Sequence, residues 1–276
     1  MKELIEKFTD NLREAKIICE KTKFSKDYKD FSEVLIIGMG GSGIGGKIVG
    51  NWIKNEIEIP ILYCSDYNIP KFVKKSTLVI ASSYSGNTEE TISAVQEAKT
   101  KQAQIIAITS GGKLLKFCVN NNFDHILIPG GNPPRTQIGY SLVALLSIFT
   151  RLKLINSSFL ESIDKAAELI DEHQYEIKEE AKNLAQGIKD KDIIIYSDTD
   201  HEAIAIRARQ QFNENAKILC NHNVIPEMNH NELVGWAGGR ARLSVLFLRT
   251  SKVHDQNEKR FKFSEALAIF RRWLFH

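Results

Sequence analysis

Val79 to Lys99 reads VIASSYSGNTEETISAVQEAK. The apolar run Thr77 to Ala81 predicts a buried parallel strand, since a strand covered on both faces loses its polar alternation. It breaks at Ser82-Ser83-Tyr84-Ser85-Gly86-Asn87-Thr88, and Glu89 and Glu90 open a helix with apolar Ile92, Val95 and Ala98. Strand, hydroxyl-rich turn and helix follow in that order. Such a turn gathers hydroxyls and free backbone N–H groups at a helix N-terminus, where the dipole favours an anion, and phosphate is the natural candidate. Serine and threonine also precede most helices as plain caps. Four hydroxyls around one Gly-Asn are more than a cap requires.

Outward from this turn the chain alternates strands with helices. An amphipathic helix is expected at about Lys2 to Thr22, then strands at Val34 to Gly38, Pro60 to Cys64, Thr77 to Ala81, Gln104 to Thr109 and His125 to Ile128. Alternation of this kind means a parallel sheet covered on both faces. An apolar helix, Ile138 to Leu152, precedes the polar stretch Asn156-Ser157-Ser158, and the domain boundary is read there. The expected domains are 1–153 and 154–276. In the second, one long helix at about Leu160 to Gln186 leads to strands at Asp192 to Tyr196, Ile218 to Asn221 and Leu243 to Leu248. Three strands against five make the second lobe look incomplete.

Gly38, Gly40 and Gly43 match G-x-G-x-x-G after the first strand, and Asp66 lies where a ribose-binding acid could follow the second. Alone this suggests a dinucleotide. The second anion-binding turn on the same sheet edge favours a small phosphorylated ligand instead.

Of the 276 residues, 43% are apolar and 26% charged, with a net charge of +3. That is an ordinary globular composition. Basic residues are scattered with no aromatic-interleaved face, which argues against nucleic acid. Cys19, Cys64, Cys118 and Cys220 lie far apart without a CxxC pair, as reduced thiols in a reducing compartment would. The acid-containing N-terminus is unlike a leader peptide, and no run approaches a membrane span. The expectation is a cytoplasmic protein with no membrane partner.

MGGSG at Met39 to Gly43, SYSGNTEET at Ser83 to Thr91, NPPRTQ at Asn132 to Gln137, FNENAK at Phe212 to Lys217 and IPEMNHN at Ile225 to Asn231 together resemble the bifunctional phosphoglucose/phosphomannose isomerase family of the sugar isomerase (SIS) domain superfamily. The resemblance runs from about residue 31 to 262. It implies an α/β fold of two SIS-type lobes, each a parallel sheet flanked by helices. It also implies interconversion of glucose 6-phosphate and mannose 6-phosphate with fructose 6-phosphate through an enediolate. Such chemistry needs a phosphate grip, a base, a positive group at the enediolate oxygen and a group to open the ring.

The resemblance assigns the phosphate to Ser42, Ser83, Ser85 and Thr88, with backbone N–H groups around Gly41. Glu214 becomes the base, placed near the end of a helix at about Glu202 to Asn215, where the dipole disfavours a further negative charge. Arg135, in a proline-stiffened loop, stabilises the enediolate oxygen without losing its charge. His230 assists ring opening, as an imidazole exchanges protons near neutral pH. In the family this histidine comes from the neighbouring subunit, which implies a homodimer with shared sites. His222, His254 and Glu227 form no recognisable metal set, so neither metal nor other cofactor is inferred.

Family members continue past the region matching Lys259 to Ile269, and their last helix supplies a lysine. Neither Lys252 nor Lys259 matches it, so the second lobe is expected to be truncated. The alternative is therefore a non-catalytic or impaired sugar-phosphate binding protein of the superfamily.

Overall fold

A computed structural model describes residues 1–238 and 242–274, with only the backbone described for Ala237 and for residues 269–274. The elements in chain order are α1 (Lys2–Glu6), α2 (Phe8–Lys21), β1 (Glu33–Ile37), α3 (Gly40–Ile53), β2 (Ile61–Cys64), β3 (Thr77–Ser83), α4 (Glu89–Thr100), β4 (Gln104–Thr109), α5 (Gly112–Asn120), β5 (Asp124–Leu127) and α6 (Ile138–Arg151). They continue with α7 (Ser158–Glu172), α8 (Gln174–Gly187), β6 (Asp192–Asp198), α9 (Glu202–Gln211), β7 (Cys220–Ile225), α10 (Glu232–Gly235), β8 (Leu243–Leu248) and α11 (Asp255–Leu274). Two compact units result, Met1–Gln174 and Tyr175–His276.

The first unit carries a fully parallel sheet in the order β2-β1-β3-β4-β5. Side chains alternate faces along a strand, so each apolar run feeds two cores. Val34, Ile36, Leu78, Ile80, Ile106 and Ile108 pack against α2, α3, α6 and α7. Leu35, Ile37, Val79, Ala81, Ile105 and Ala107 pack against α4 and α5 on the other face. Both layers are needed to bury these strands. The second unit carries a three-stranded parallel sheet in the order β7-β6-β8. Its central strand is covered by α9 on one face and by Met228 and Phe261 on the other. The expected α/β class and parallel strands are thus observed in both units.

Several boundaries differ from the sequence reading; β7, for example, is expected at Ile218 to Asn221 and observed at Cys220–Ile225. The N-terminal helix breaks at Lys7, and the helix expected at 160–186 is two helices separated by His173. Within the G-x-G-x-x-G stretch, α3 already begins at Gly40. Glycine is required there for closeness, since a Cβ on Gly43 would lie 2.4 Å from the Gly38 carbonyl oxygen.

The division between units falls after α7 instead of at 153/154. Asn156 lies just before the start of α7, its Oδ1 accepting from Ser158 N at 2.9 Å and from the Ser158 hydroxyl. Ile163 and Ala167 of α7 are buried in the first core, and Asp171 accepts from Thr9 Oγ1 at 2.7 Å and from Arg13 at 2.5 Å. A polar stretch read as a linker is therefore a helix start.

Asp124, at the opening of β5, fixes residues 25–28 to the amino edge of the sheet. Its carboxylate accepts from Ser25 N (2.8 Å) and Oγ (2.9 Å), Lys26 N (3.0 Å) and Tyr28 Oη (2.9 Å). Burial pushes this carboxyl up, but those four bonds outweigh it and hold it below its usual range. A carboxyl depressed on folding stabilises above its free pKa of about 3.9 and loses that contribution as the pH falls through its lower folded value. Asp124→Ala is expected to cost about 2–4 kcal/mol at neutral pH, because bonds to a charged acceptor are worth about 1.5–3 kcal/mol each and do not add fully. Urea unfolding at pH 7 and pH 3 checks this, with the difference from wild type shrinking at the lower pH.

Candidate active site

β1 and β3 are paired neighbours, so the turns that follow them lie side by side at the carboxyl edge of the sheet. Open α/β sheets bind ligands at this edge. Ser42, buried in the first turn of α3, accepts a hydrogen bond on Oγ from Tyr84 N at 3.1 Å and ties the two turns together. Ser83 is buried with its Oγ 3.0 Å from Thr88 Oγ1. Thr88 precedes α4, yet its side chain does not cap the helix, and no side chain caps α3 either. No side chain therefore occupies the first N–H groups of either helix, although in α3 the Ser42 and Gly43 N–H groups donate to the Met39 carbonyl at 3.0 and 3.1 Å.

Ser85 is exposed at the tip of the turn, its Oγ accepting from Asn87 N at 3.2 Å. Gly86 lets the chain turn there: its φ is +65°, and a Cβ would lie 1.8 Å from the Gly111 carbonyl oxygen. Because Ser42 and Ser85 accept within the protein, their hydroxyl protons can be donated outward. The Ser83 and Thr88 pair uses one proton between them and keeps the other.

Arg135 reaches the same edge. Tyr84 is nearly buried, and its hydroxyl accepts from Asn132 N at 3.2 Å, which fastens the loop after β5 to the hydroxyl turn. Arg135 is half-buried in the short 3-10 turn Pro134–Thr136, anchored by Thr136 Oγ1 donating to Pro133 O at 2.9 Å. The first unit therefore gathers Gly41, Ser42, Ser83, Ser85, Thr88 and Arg135 at one sheet edge. Together they offer neutral donors and one permanent cation to a tetrahedral anion.

In the second unit α9 stops at Gln211 and continues as a π-helical turn, Phe212–Ala216, which carries Glu214. Such turns are rare and recur at functional positions. Asn213 Oδ1 accepts from Cys220 N at 3.0 Å, so the turn is tied to the first residue of β7. Lys217 ends it with φ +60°, and its Nζ donates to the Glu214 carbonyl at 2.7 Å, so a cation offsets the negative dipole end.

Sequence reading missed Arg207. This residue lies on α9 with 9% of its surface exposed; burial lowers its pKa, and the Glu214 carboxylate acts in the opposite direction. Its only sequence signal is a spacing of two helical turns before Glu214. His230 is exposed in the 3-10 turn after β7, held by buried Met228 and by Asn229 Nδ2 donating to Ser264 Oγ at 3.1 Å.

The strand between Glu214 and His230 keeps them apart. Six residues of β7 at about 3.3 Å each separate the two turns by roughly 20 Å. Within one chain, then, these two side chains stand at opposite ends of the second sheet.

Two family models match the chain: SIS domain over residues 29–115 and bacterial phospho-glucose isomerase C-terminal SIS domain over residues 177–272. A bifunctional phosphoglucose/phosphomannose isomerase of Caldicellulosiruptor bescii is 40% identical over 87% of this chain and 74% of its own length. One of Thermoplasma volcanium is 43% identical over 77% of this chain and 67% of its own. Among solved structures, the C-terminal domain of glucosamine-fructose-6-phosphate aminotransferase from Francisella tularensis matches with a TM-score of 0.74 at 14% identity, over 98% of this chain and 80% of that one, which speaks for the fold alone. With relatives at 40% and 43% identity matched over two thirds or more of their own length, the chain belongs to the bifunctional phosphoglucose/phosphomannose isomerase family.

Proposed function

We propose that the chain interconverts glucose 6-phosphate and mannose 6-phosphate with fructose 6-phosphate through an enediolate. The observation that carries the reading is the pair of tied, uncapped helix starts at the edge of the first sheet. They form a phosphate grip that family membership connects to hexose phosphates. The phosphate accepts from the hydroxyls of Ser42, Ser83, Ser85 and Thr88 and from backbone N–H groups at Gly41.

Glu214 removes the C2 proton of the aldose or the C1 proton of the ketose, exchanges it with solvent while the enediolate lasts, and delivers a proton to the adjacent carbon. Arg135 faces the enediolate oxygen, where a cation lowers the barrier without any change of protonation. Arg207 positions Glu214 from the helix beneath it.

The ends of β7 support an assembly of two copies. A base and a ring-opening group about 20 Å apart cannot serve one hexose, so His230 acts in the site of another copy. Leu219 and Val234, beside the two turns, are apolar and exposed, as surfaces awaiting a partner are. Among the described residues no helix is long and apolar enough to cross a membrane. The reading places the enzyme in the cytoplasm, where hexose phosphates and reduced thiols are found together.

Turnover of fructose 6-phosphate, with both aldose phosphates as products and none from unphosphorylated fructose, tests the function. Ser85→Ala should raise KM about tenfold by removing one hydrogen bond to a charged phosphate. Ser85 is exposed, so the melting temperature should not move. An unchanged KM would remove Ser85 from the grip.

A further inference from the structure

The second sheet repeats part of the first. The order β7-β6-β8 matches β2-β1-β3, parallel in both, with the first strand of each trio in the middle. By this correspondence β6 stands for β1 and β8 for β3. The turn Thr199–His201 before α9 then replaces the Ser42 turn, and residues 249–254 before α11 replace the hydroxyl turn. A cavity of about 120 Å³ lies between these two replacements, lined by Asp198, Asp200, Lys252, His254 and Asn257 among others.

Its polarity is not that of the first unit. Where the first unit offers a serine hydroxyl and glycine N–H groups, this one offers a carboxylate, Asp198, only 3% exposed. Asp198 Oδ1 accepts from His201 N at 2.9 Å and lies 2.7 Å from His201 Nδ1. Asp198 Oδ2 is buried and has no hydrogen-bond partner among the described residues. A buried acceptor of this strength calls for a donor. Across the cavity the groups are of the other sign: Lys252, and the start of the twenty-residue helix α11, where His254 Nδ1 accepts from Gln256 N at 3.1 Å.

We propose that this cavity is a second ligand site, for a small polyhydroxylated anion. A ligand hydroxyl donates to Asp198 Oδ2, as sugar hydroxyls donate to acids at strand ends elsewhere, and the anionic group lies by Lys252 at the N-terminus of α11. Bare phosphate is disfavoured because Asp198 and Asp200 face it. A bare sugar lacks the group that Lys252 and α11 attract. The inference uses only second-unit geometry and does not depend on the catalytic roles of Glu214 or His230.

Calorimetric titration of the full chain with glucose 6-phosphate, gluconate, glucose and inorganic phosphate tests it. The expected result is two equivalents of glucose 6-phosphate per chain, one of them weakened at least tenfold by Asp198→Asn and by Lys252→Ala, with turnover of fructose 6-phosphate unchanged. Gluconate filling that second equivalent in its place, with the same dependence on Asp198 and Lys252, also supports the site and identifies sugar acids as its source. A single equivalent of glucose 6-phosphate together with no gluconate binding that depends on Asp198 and Lys252, a second equivalent untouched by both variants, or inorganic phosphate binding as tightly as glucose 6-phosphate would overturn the proposal. Two equivalents, one of them dependent on Asp198, without turnover would support this site while counting against the isomerase reading, so the two failures are distinct.

Discussion

Glu214→Gln is expected to lower kcat for fructose 6-phosphate about 10³-fold while KM stays within about twofold, in the range by which a positioned base accelerates proton transfer. The amide keeps the size and the hydrogen-bonding reach of the carboxylate but cannot accept the proton. Phosphate binding, proposed for residues of the first unit, is expected to be untouched. The π-helical turn should survive, since Asn213 Oδ1 ties it to Cys220 N and Lys217 Nζ donates to the Glu214 carbonyl, both of which the substitution leaves in place. An equal loss in melting temperature would mark Glu214 as structural. A rise in KM with kcat unchanged would move it from the reaction to binding.

The second large effect is one of restoration. Glu214→Gln and His230→Ala chains, each nearly inactive, are expected to regain about one quarter of wild-type activity when mixed at equal concentration and allowed to exchange subunits. Random pairing makes half of the dimers mixed, and each mixed dimer has one site with both residues intact. The expectation follows from β7, whose length keeps the two side chains of one chain from meeting. No gain on mixing, with exchange shown independently, would mean that Glu214 and His230 do not meet across copies.

The first sheet was legible because strands buried on both faces are written as continuous apolar runs. Val34 to Ile37 and Thr77 to Ala81 can be little else, and the structure extends the second run only to Ser83. The hydroxyl turn was legible for a related reason: Gly86 and its neighbours announce a sharp turn before a helix. The start of α3 was not. Gly40 to Gly46, seven residues with five glycines, read as loop by propensity, whereas packing of Gly43 against Gly38 outweighs the roughly 1 kcal/mol that each glycine costs a helix.

The breaks at Lys7 and His173 carry neither Gly nor Pro and leave the apolar spacing on either side nearly intact. The π-helical turn at Phe212 adds a residue that side-chain period cannot show over so short a stretch. Arg207 was passed over because a basic residue on an amphipathic helix usually faces water. Its burial beside Glu214 is a tertiary fact. Asn156-Ser157-Ser158 shows the converse, in that a helix start and a linker have the same composition.

Proton NMR of fructose 6-phosphate turnover in deuterated water bears most directly on the enediolate. The reading requires deuterium at C2 of the aldose phosphates formed, absent when Glu214→Gln replaces the wild-type chain. Aldose phosphate formed by the wild-type chain with no deuterium at C2 beyond trace would point to direct hydrogen transfer, and deuterium incorporation undiminished in Glu214→Gln would show that another residue is the base.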